Sequence, residues 1–281
     1  MFDGVHLGHR AVLGEAVGWA RAMKGEAVVL TFDPHPAAVI RGLKVSLLCT
    51  LARRLELIGR QGVDTAVVLR FDKVLAGQAA EAFLSSTLSG IGLKGLVLGY
   101  DSHFGHDREG DLATARRLGP DLGFETRAVE AVPVGGKPVS SRRVRAALEA
   151  GDLEDARACL GRPWALEGIV VKGDGRGRTL GFPTANLDVG DLILPKTGVY
   201  AGAVTLEGKV FKAAMNVGVR PTVGGVPAPL AEVYVAGWSG DLYGKPLSVD
   251  LVRRLRDERR FETLEALKAQ IARDLEALQG L

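Results

Sequence analysis

The chain has 281 residues, of which 47% are hydrophobic and 25% are charged, and its formal net charge is +3 at pH 7. This composition is typical of a soluble globular protein with one large domain or two ordinary ones. The small net charge gives no argument for a nucleic-acid partner, and no apolar run approaches the roughly 18 residues that cross a bilayer.

The first half of the chain alternates between helical and strand-like segments. Apolar residues at helical spacing predict helices at residues 7–23, 51–60, 78–88, 112–118, 142–150 and 153–160. Short buried-type runs predict strands at residues 27–32, 65–69, 95–99 and 124–129. Four strands separated by helices indicate βα units and a parallel sheet.

The second half changes character at Trp164. Short alternating runs with Gly and Pro turns predict strands at residues 165–172, 198–206, 209–215, 232–235 and 247–255. This pattern is typical of an antiparallel sheet or a small barrel. One amphipathic helix is predicted at 264–278, and the domain boundary is expected near Gly161, which gives domains 1–161 and 162–281.

The cysteines and the first residues of the chain bear on the cellular compartment of the protein. Cys49 and Cys159 lie far apart in sequence and have no CxxC or metal-ligand spacing. The sequence therefore predicts no disulfide framework and favours a reducing, cytoplasmic setting. Residues 1–20 also lack the basic start and apolar stretch of a signal peptide.

All five histidines lie in the first half, and four of them are expected where a strand gives way to a loop. Ligands of parallel α/β sheets bind at the carboxyl ends of the strands, so we expect these loops to converge. His6 and His9 would flank the start of the first helix, whose N–H groups favour an anion. Residues 140–145, SSRRVR, open a helix with hydroxyls and guanidiniums suited to a triphosphate.

Other interpretations of the histidines stay open from the residues alone. A lone HxxH pair is commonly a surface helix start. A zinc site is a second alternative, although no Cys or acidic ligand has a suitable spacing. The combination of several polar strand-end loops favours nucleotide binding.

A glycine-rich stretch, GDGRGRTLGFPTAN, occupies residues 173–186. Its glycines let backbone N–H groups approach a phosphate, and Arg176 and Arg178 add positive charge. The Thr184 hydroxyl and the Asn186 amide oxygen, two residues apart, are suited to a hard cation such as Mg²⁺. Taken alone, such a stretch is more often a plain turn.

The motifs together resemble one family. The segments FDGVHLGH, TFDPHP, GYDSHFG, SSRRVR, GFPTAN, LPKTGVY, MNVGVRPT and AEVYV resemble, in order and over the whole chain, those of the bacterial bifunctional riboflavin kinase/FMN adenylyltransferases, or FAD synthetases. The resemblance implies a Rossmann-like nucleotidyltransferase domain with a parallel sheet. A six-stranded antiparallel riboflavin-kinase β-barrel with a C-terminal helix would follow.

The resemblance also implies the chemistry and the setting. Riboflavin would be phosphorylated by ATP and Mg²⁺ to FMN, and FMN would be adenylylated to FAD with release of pyrophosphate. The partners would be these small molecules, with no nucleic acid or membrane, in a cytoplasmic monomer or weak homo-oligomer.

Residue roles in the first domain follow from the same resemblance. His6 and His9 would stabilise the phosphates, Ser141 and Arg145 would hold ATP, and Asp101 would contact the nucleotide or flavin. The phosphate of FMN is already anionic, so its attack needs positioning and cations rather than a carboxylate base.

In the second domain, the resemblance makes Glu232 the general base, because a primary alcohol must lose a proton as it attacks. Thr184 and Asn186 would bind Mg-ATP. The remaining candidates for nucleotide binding are Gly173, Gly175, Gly177, Arg178 and Pro183. Candidates on the flavin side are Asn216 and Arg256.

Two departures from the family pattern keep alternatives open. Arg142 replaces the threonine of the family's Ser-Ser-Thr. The family has a strand before Gly-x-Phe-Asp-Gly, whereas this sequence begins at Met1, so we expect the neighbouring strands to lack an inner ladder partner. The alternatives are a riboflavin kinase with an inactive first domain, or a non-catalytic flavin- or nucleotide-binding regulator. Intact Glu232, Thr184 and Asn186 argue against a regulator.

Overall fold

The computed structural model describes residues 1–42, 44–173, 177, 181–220 and 228–278. It consists of two compact units. The first unit comprises Met1–Val45 and Thr50–Ser141, and the second comprises Ser46–Cys49 and Arg142–Leu281. No helix in the described part of the chain is long and apolar enough to span a membrane.

The four longer strands of the first unit form two parallel pairs. They are β1 (Val28–Asp33), β2 (Thr65–Arg70), β3 (Gly95–Gly99) and β4 (Glu125–Val129). β1 pairs with β2 and β3 pairs with β4, both in parallel. Within the described residues, each pair is a separate two-stranded sheet, so β1 and β3 use only one edge for ladder hydrogen bonds. The predicted parallel arrangement is confirmed.

The helices of the first unit lie mostly where apolar periodicity predicted them. They are α1 (Leu7–Ala22), α2 (Pro36–Arg41), α3 (Leu51–Gly59), α4 (Lys73–Ala76), α5 (Ala80–Ala82) and α6 (Leu112–Leu122). The short α2 and α4 were not predicted. The segment predicted as one helix at 78–88 is α5 followed by a π-helix, Phe83–Leu88. Side-chain caps explain several starts, since Thr50, Asp72 and Asp111 each accept a backbone N–H at a helix N-terminus.

Two apolar clusters of described residues help to hold the first unit together. One is formed by buried residues of α1, β1, α3 and the loop before α1: Val5, Leu13, Val29, Leu57 and Ile58. The other contains Leu84, Leu88, Leu118 and Phe124, with Leu30 of β1 and Leu96 of β3 packed against it. Both strand pairs therefore contribute to the same second cluster.

The second unit is built around a barrel. Its strands are β7 (Trp164–Val171), β8 (Ala185–Asp188), β9 (Gly198–Leu206), β10 (Lys209–Arg220), β11 (Ala228–Val235) and β12 (Pro246–Arg256). They close in the order β10-β11-β8-β7-β12-β9, with antiparallel pairing throughout. Its interior is filled by apolar side chains such as Leu166, Met215 and Val249, each 0% exposed. The expected six-stranded barrel is confirmed, although β8 itself was not predicted.

The helices of the second unit whose bounds the structure describes are α7 (Ser141–Ala150, from its second residue), α8 (Leu153–Leu160) and the C-terminal α9 (Leu264–Glu276). A two-stranded hairpin, β5 (Pro133–Val134) and β6 (Lys137–Pro138), precedes α7 in the first unit. α8 packs against β7 and β12 of the barrel. The two helices before Gly161 therefore pack with the barrel, while the functional boundary at 161 stays a prediction.

Candidate active sites

Three predicted site residues lie side by side on the barrel wall. Glu232 of β11 is the direct cross-strand partner of Asn216 on β10 and of Asn186 on β8. Directly opposed residues of antiparallel strands point to the same face of the sheet. The neighbours Met215 and Val233 are buried inside the barrel, so this face is the outer one. A carboxylate is thus flanked by two amide side chains.

The glycine-rich stretch approaches this row very closely. An ideal Cβ placed on Gly173 would lie 2.2 Å from Asn186 Nδ2, and one on Gly177 would lie 2.9 Å from Thr184 Oγ1. The Gly177 carbonyl also accepts a 2.9 Å hydrogen bond from the Phe182 N–H. Only glycine fits at these two positions without displacing the predicted ligand side chains.

The donor set of this region suits a hard cation. Asn186 is buried, at 8% exposure, and Thr184 is half-buried. A hydroxyl and an amide oxygen are the neutral oxygen ligands that Mg²⁺ accepts, usually alongside substrate phosphates and water. Pro183 is exposed beside them. The other candidates in this stretch, Gly175, Arg176 and Arg178, lie outside the described residues.

Arg256, a predicted flavin-side residue, is bound to the C-terminal helix. Its Nη2 donates to Asp274 Oδ2 at 2.7 Å, and its Nε donates to Asp274 Oδ1 at 3.0 Å. Asp274 is buried at 7% exposure and also accepts from Gln270 Nε2 at 2.8 Å. This bidentate pair fastens α9 to the end of β12.

The two histidines before α1 form one cluster. Their rings are stacked with centroids 3.6 Å apart and an interplanar angle of 17°. His6 caps α1, because its Nδ1 accepts the His9 backbone N–H at 3.2 Å. Gly8 permits this fold-back, since an ideal Cβ there would lie 3.2 Å from the His6 ring. Because Nδ1 accepts this hydrogen bond, a neutral His6 carries its proton on Nε2.

Burial changes the proton affinity of this cluster. The pKa of His9 is held well below the usual 6.5, first by burial and then by electrostatic coupling to the adjacent His6, since two protons on the stacked rings would repel each other. Among the described atoms, His9 Nδ1 is buried and has no hydrogen-bond partner. A buried polar atom without a partner at a helix N-terminus fits an anionic ligand such as a phosphate.

The loop that carries the histidines is held in a strained conformation. Val5 has a positive φ of 41° although it is β-branched, and it is 1% exposed. Ser141 Oγ donates to the Asp3 carbonyl oxygen at 3.0 Å, so this predicted ATP ligand also fastens the loop. Strain of this kind is tolerated where the surroundings fix the backbone, commonly in ligand-binding loops.

The other candidates of the first domain are distributed more widely. Asp101 is exposed in the turn after β3, whose last residue, Gly99, packs against Val12 of α1. The His35 side chain caps α2, so it has a local structural partner. Arg145 belongs to the second unit, where its Nε donates to the Ser46 carbonyl at 2.7 Å.

The histidines at 103 and 106 are exposed in the loop that follows Asp101. In the described part of the chain, no group of three or more His, Cys, Asp or Glu side chains is arranged to hold a metal ion.

Among the charged residues that sequence reasoning did not select, Arg54 and Asp274 are buried at these sites, as is Asp3 of the loop before α1. Arg54 is 2% exposed and donates to the Phe32 carbonyl at 3.1 Å, at the carboxyl end of β1. Asp274 is 7% exposed and binds Arg256. Arg54 and Asp274 lie at helical spacing from buried apolar residues: Arg54 from Leu57 and Ile58, and Asp274 from Leu278. A charge on an apolar helix face is the signal that points to a buried polar contact.

Comparison with known proteins agrees with both units. The family model of FAD synthetase matches residues 1–143, and that of riboflavin kinase matches residues 160–281. The bifunctional riboflavin kinase/FMN adenylyltransferase of Pseudomonas fluorescens is 38% identical over 281 residues, which cover 100% of this chain and 90% of that protein. The enzyme of the same name from Escherichia coli (strain K12) is 39% identical over 276 residues, with coverage of 97% and 88%.

A solved structure is similar over the same length. The crystal structure of a protein named Macrolide-efflux Protein, from Streptococcus pneumoniae, has a TM-score of 0.90 and 29% sequence identity, and the match covers 100% of this chain and 92% of that one. The two family models match consecutive parts of the chain, and the relatives above 30% identity match nearly all of it. These matches establish the family. The chain belongs to the bifunctional riboflavin kinase/FMN adenylyltransferase family.

Proposed function

We propose that the barrel phosphorylates riboflavin to FMN, and that the first domain adenylylates FMN to FAD with release of pyrophosphate. Membership of the bifunctional family supports both reactions. The observation that carries the proposal at the level of residues is the row on the barrel wall, in which Glu232 stands between Asn186 and Asn216.

In the kinase reaction, Glu232 accepts the proton of the riboflavin 5′-hydroxyl as its oxygen attacks the γ-phosphorus of ATP. A primary alcohol is a weak nucleophile, so a positioned carboxylate accelerates this step by about 10²–10⁴-fold. Thr184 and Asn186 would hold Mg²⁺, which when bound neutralises charge on the ATP phosphates. The absence of side chains at Gly173 and Gly177 leaves room for Asn186 and Thr184. In this proposal Gly173, Gly175, Gly177, Arg178 and Pro183 also contact the nucleotide.

In the adenylyltransferase reaction, the attacking FMN phosphate needs no base. His6 and His9 bind the phosphates of ATP at the start of α1, and Ser141 and Arg145 orient the nucleotide. Asp101 contacts the nucleotide or flavin after β3. Proton uptake by the His9 ring on binding phosphate would add a positive charge where negative charge accumulates.

The remaining assignments are part of the same proposal. The adenylyltransferase domain is residues 1–161 and the kinase domain is residues 162–281. Asn216 and Arg256 serve the flavin side of the kinase site. The protein acts in the cytoplasm on small molecules, without nucleic-acid or membrane partners, as a monomer or weak homo-oligomer.

The test is a product analysis of the full chain. Riboflavin, ATP and MgCl₂ are incubated with the protein, and flavins are separated by reversed-phase chromatography while pyrophosphate is assayed. We expect FMN to appear first, followed by FAD and an equal amount of pyrophosphate. Absence of FMN would contradict the kinase assignment. If the protein then still bound flavin tightly, a regulator would be favoured.

A second candidate is a riboflavin kinase whose first domain is inactive. The observation that favours it concerns the edges of β1 and β3. Within the described residues β1 has only β2 as a ladder partner and β3 has only β4, so no strand joins the two pairs into one sheet. The two candidates differ in one outcome of the same experiment. Accumulation of FMN without FAD or pyrophosphate, also when FMN itself is the substrate, would select the kinase alone.

A further inference from the structure

A second carboxylate lies on the same wall of the barrel as Glu232. An ideal Cβ on Gly218 of β10 would lie 2.3 Å from Glu258 Oε1, 3.0 Å from its Cδ and 3.2 Å from its Oε2. The Glu258 carboxylate therefore fills the place that a side chain at 218 would take. Gly218 is buried as a result, whereas Glu258 remains open to solvent.

The position of Gly218 puts this carboxylate next to the proposed kinase site. Residues 216 and 218 alternate to the same face of β10, which is the face that carries Glu232 across the ladder. Gly218 is opposite Leu230, so Glu232 is its diagonal neighbour, at about 7–8 Å between Cα atoms. Two carboxylates thus face the same surface one residue pair apart.

The segment that carries Glu258 is fixed by its neighbours. Arg256 is bound by Asp274 of α9 in a bidentate pair. The Arg259 guanidinium lies 4.7 Å from the centroid of the Phe261 ring and donates to Gln270 of α9. These cations point to the C-terminal helix. Within the described residues, the Glu258 carboxylate has no hydrogen-bond or ion-pair partner of its own, and its acceptor oxygens remain available.

We propose that Glu258 is a substrate-binding residue of the kinase site, whose carboxylate accepts a hydrogen bond from a hydroxyl of the polyol chain of the acceptor substrate. This inference rests on the proposed kinase function. The substrate must present a chain of hydroxyls that ends at the reacting primary alcohol beside Glu232. An ionised carboxylate only accepts hydrogen bonds, and O–H···O⁻ bonds are short and strong. The second carboxylate therefore selects for a hydroxylated chain.

The kinetic test separates binding of the flavin from chemistry. The rate of FMN formation by Glu258→Ala is measured against riboflavin at saturating Mg-ATP, and against ATP at saturating riboflavin. We expect KM for riboflavin to rise about tenfold or more, with kcat within about twofold and KM for ATP unchanged. The matched control is Glu262→Ala, an exposed glutamate of the same segment that should behave as wild type. An unchanged KM for riboflavin would overturn the proposal.

Gly218→Ala provides an independent variant that leaves Glu258 in the sequence. Its Cβ would displace the carboxylate, while the backbone at 218 has no positive φ that alanine would strain. We expect a similar rise in KM for riboflavin. Because both substitutions remove one contact, the double variant Gly218→Ala/Glu258→Ala should be no worse than the single ones. Effects that multiply would contradict a shared contact.

A flavin without the polyol chain shows which part of the substrate is recognised. Lumiflavin carries the same ring system and a methyl group in place of the chain. Glu258→Ala should weaken binding of riboflavin, measured by quenching of flavin fluorescence with Mg-ADP present, and leave the Kd of lumiflavin unchanged. An equal loss for both flavins would overturn the assignment to the chain. The titration measures binding and needs no turnover. A wild-type protein that binds riboflavin but forms no FMN would contradict the kinase function, and the titration would still test the contact of Glu258.

Discussion

Glu232 and Asn186 face each other directly across the ladder between β11 and β8, on the outer wall of the barrel. The proposed base and the proposed metal ligand come from segments far apart in the chain. The barrel topology places β8 beside β11 and so brings the glycine-rich stretch to the carboxylate. The proposed functions of both residues depend on this pairing. Glu232 would act on the riboflavin hydroxyl and Asn186 on Mg-ATP, so each function can be tested separately.

Removal of the Asn186 amide should weaken the use of Mg-ATP more than the use of riboflavin. In Asn186→Ala, KM for Mg-ATP should rise about tenfold or more, since a cation ligand is lost while Glu232 remains. Titration of MgCl₂ at fixed ATP checks this. Asn216→Ala is the matched control on the other side of Glu232, and it should leave the Mg²⁺ dependence unchanged. The same Mg²⁺ dependence in both variants would contradict the ligand assignment.

The depressed pKa of His9 predicts a pH dependence of stability. In the unfolded chain the imidazole takes up a proton near pH 6.5, whereas the folded protein resists protonation until a lower pH. The unfolded state therefore binds more protons below pH 6.5, and the stability contribution is lost as the pH falls from there. Calorimetry at pH 7.5 and 5.5 should show a larger loss for wild type than for His9→Gln. Equal losses would contradict the burial of a neutral ring.

A phosphate ligand should act on the same proton. If His9 binds phosphate, pyrophosphate should raise the pKa of His9, because the anion favours the imidazolium. An NMR titration of the imidazole C–H signals, with and without pyrophosphate, measures this shift. A His9 signal that does not respond would contradict its role in the adenylyltransferase site.

The attachment of α9 should depend on the pair of Arg256 and Asp274. Asp274→Ala leaves the partly buried Arg256 guanidinium without its carboxylate, and we expect a loss of about 2–4 kcal/mol in the free energy of unfolding. Urea unfolding followed by tryptophan fluorescence measures it. Glu276→Gln, an exposed position on the same helix, should have no measurable effect. A similar small effect of both changes would show that the pair contributes little.

The two helices before the barrel should stabilise the kinase domain. In α8, Ala156, Cys159 and Leu160 are each 0% exposed, and in α7 the Leu148 carbonyl accepts the Lys196 N–H at 2.9 Å. A fragment of residues 162–281 should therefore unfold at a lower urea concentration than a fragment of residues 142–281. Its free energy of unfolding should be smaller by about 3 kcal/mol or more. Both fragments should still phosphorylate riboflavin. Equal stability would contradict the packing, and absence of kinase activity in the shorter fragment would move the functional boundary.

Much of this fold is predictable from local patterns. Apolar periodicity predicted α1, α3 and α9, and short apolar runs predicted β1 to β4 close to their observed bounds. β8 escaped detection because its residues, Ala185–Asp188, follow a glycine-rich turn and have little strand propensity. The π-helix at Phe83–Leu88 has the same apolar spacing as an ordinary helix, so periodicity does not reveal it.

The site was predictable only in part. Motif resemblance selected Glu232, Asn186 and Asn216, and the barrel register brings these three together. The contact of Glu258 with Gly218 has no local signal, because it joins an exposed loop residue to a strand glycine by tertiary folding alone. The depressed pKa of His9 likewise depends on burial.

The most direct test of the kinase assignment is the turnover number of Glu232→Gln. Glutamine keeps the shape of the side chain but cannot accept the proton of the riboflavin hydroxyl, so kcat for FMN formation should fall by about 10²–10⁴-fold with little change in KM for Mg-ATP. Glu265→Gln, at an exposed position of α9, is the control and should retain wild-type turnover. A Glu232→Gln protein that forms FMN at nearly the wild-type rate would show that Glu232 is not the base.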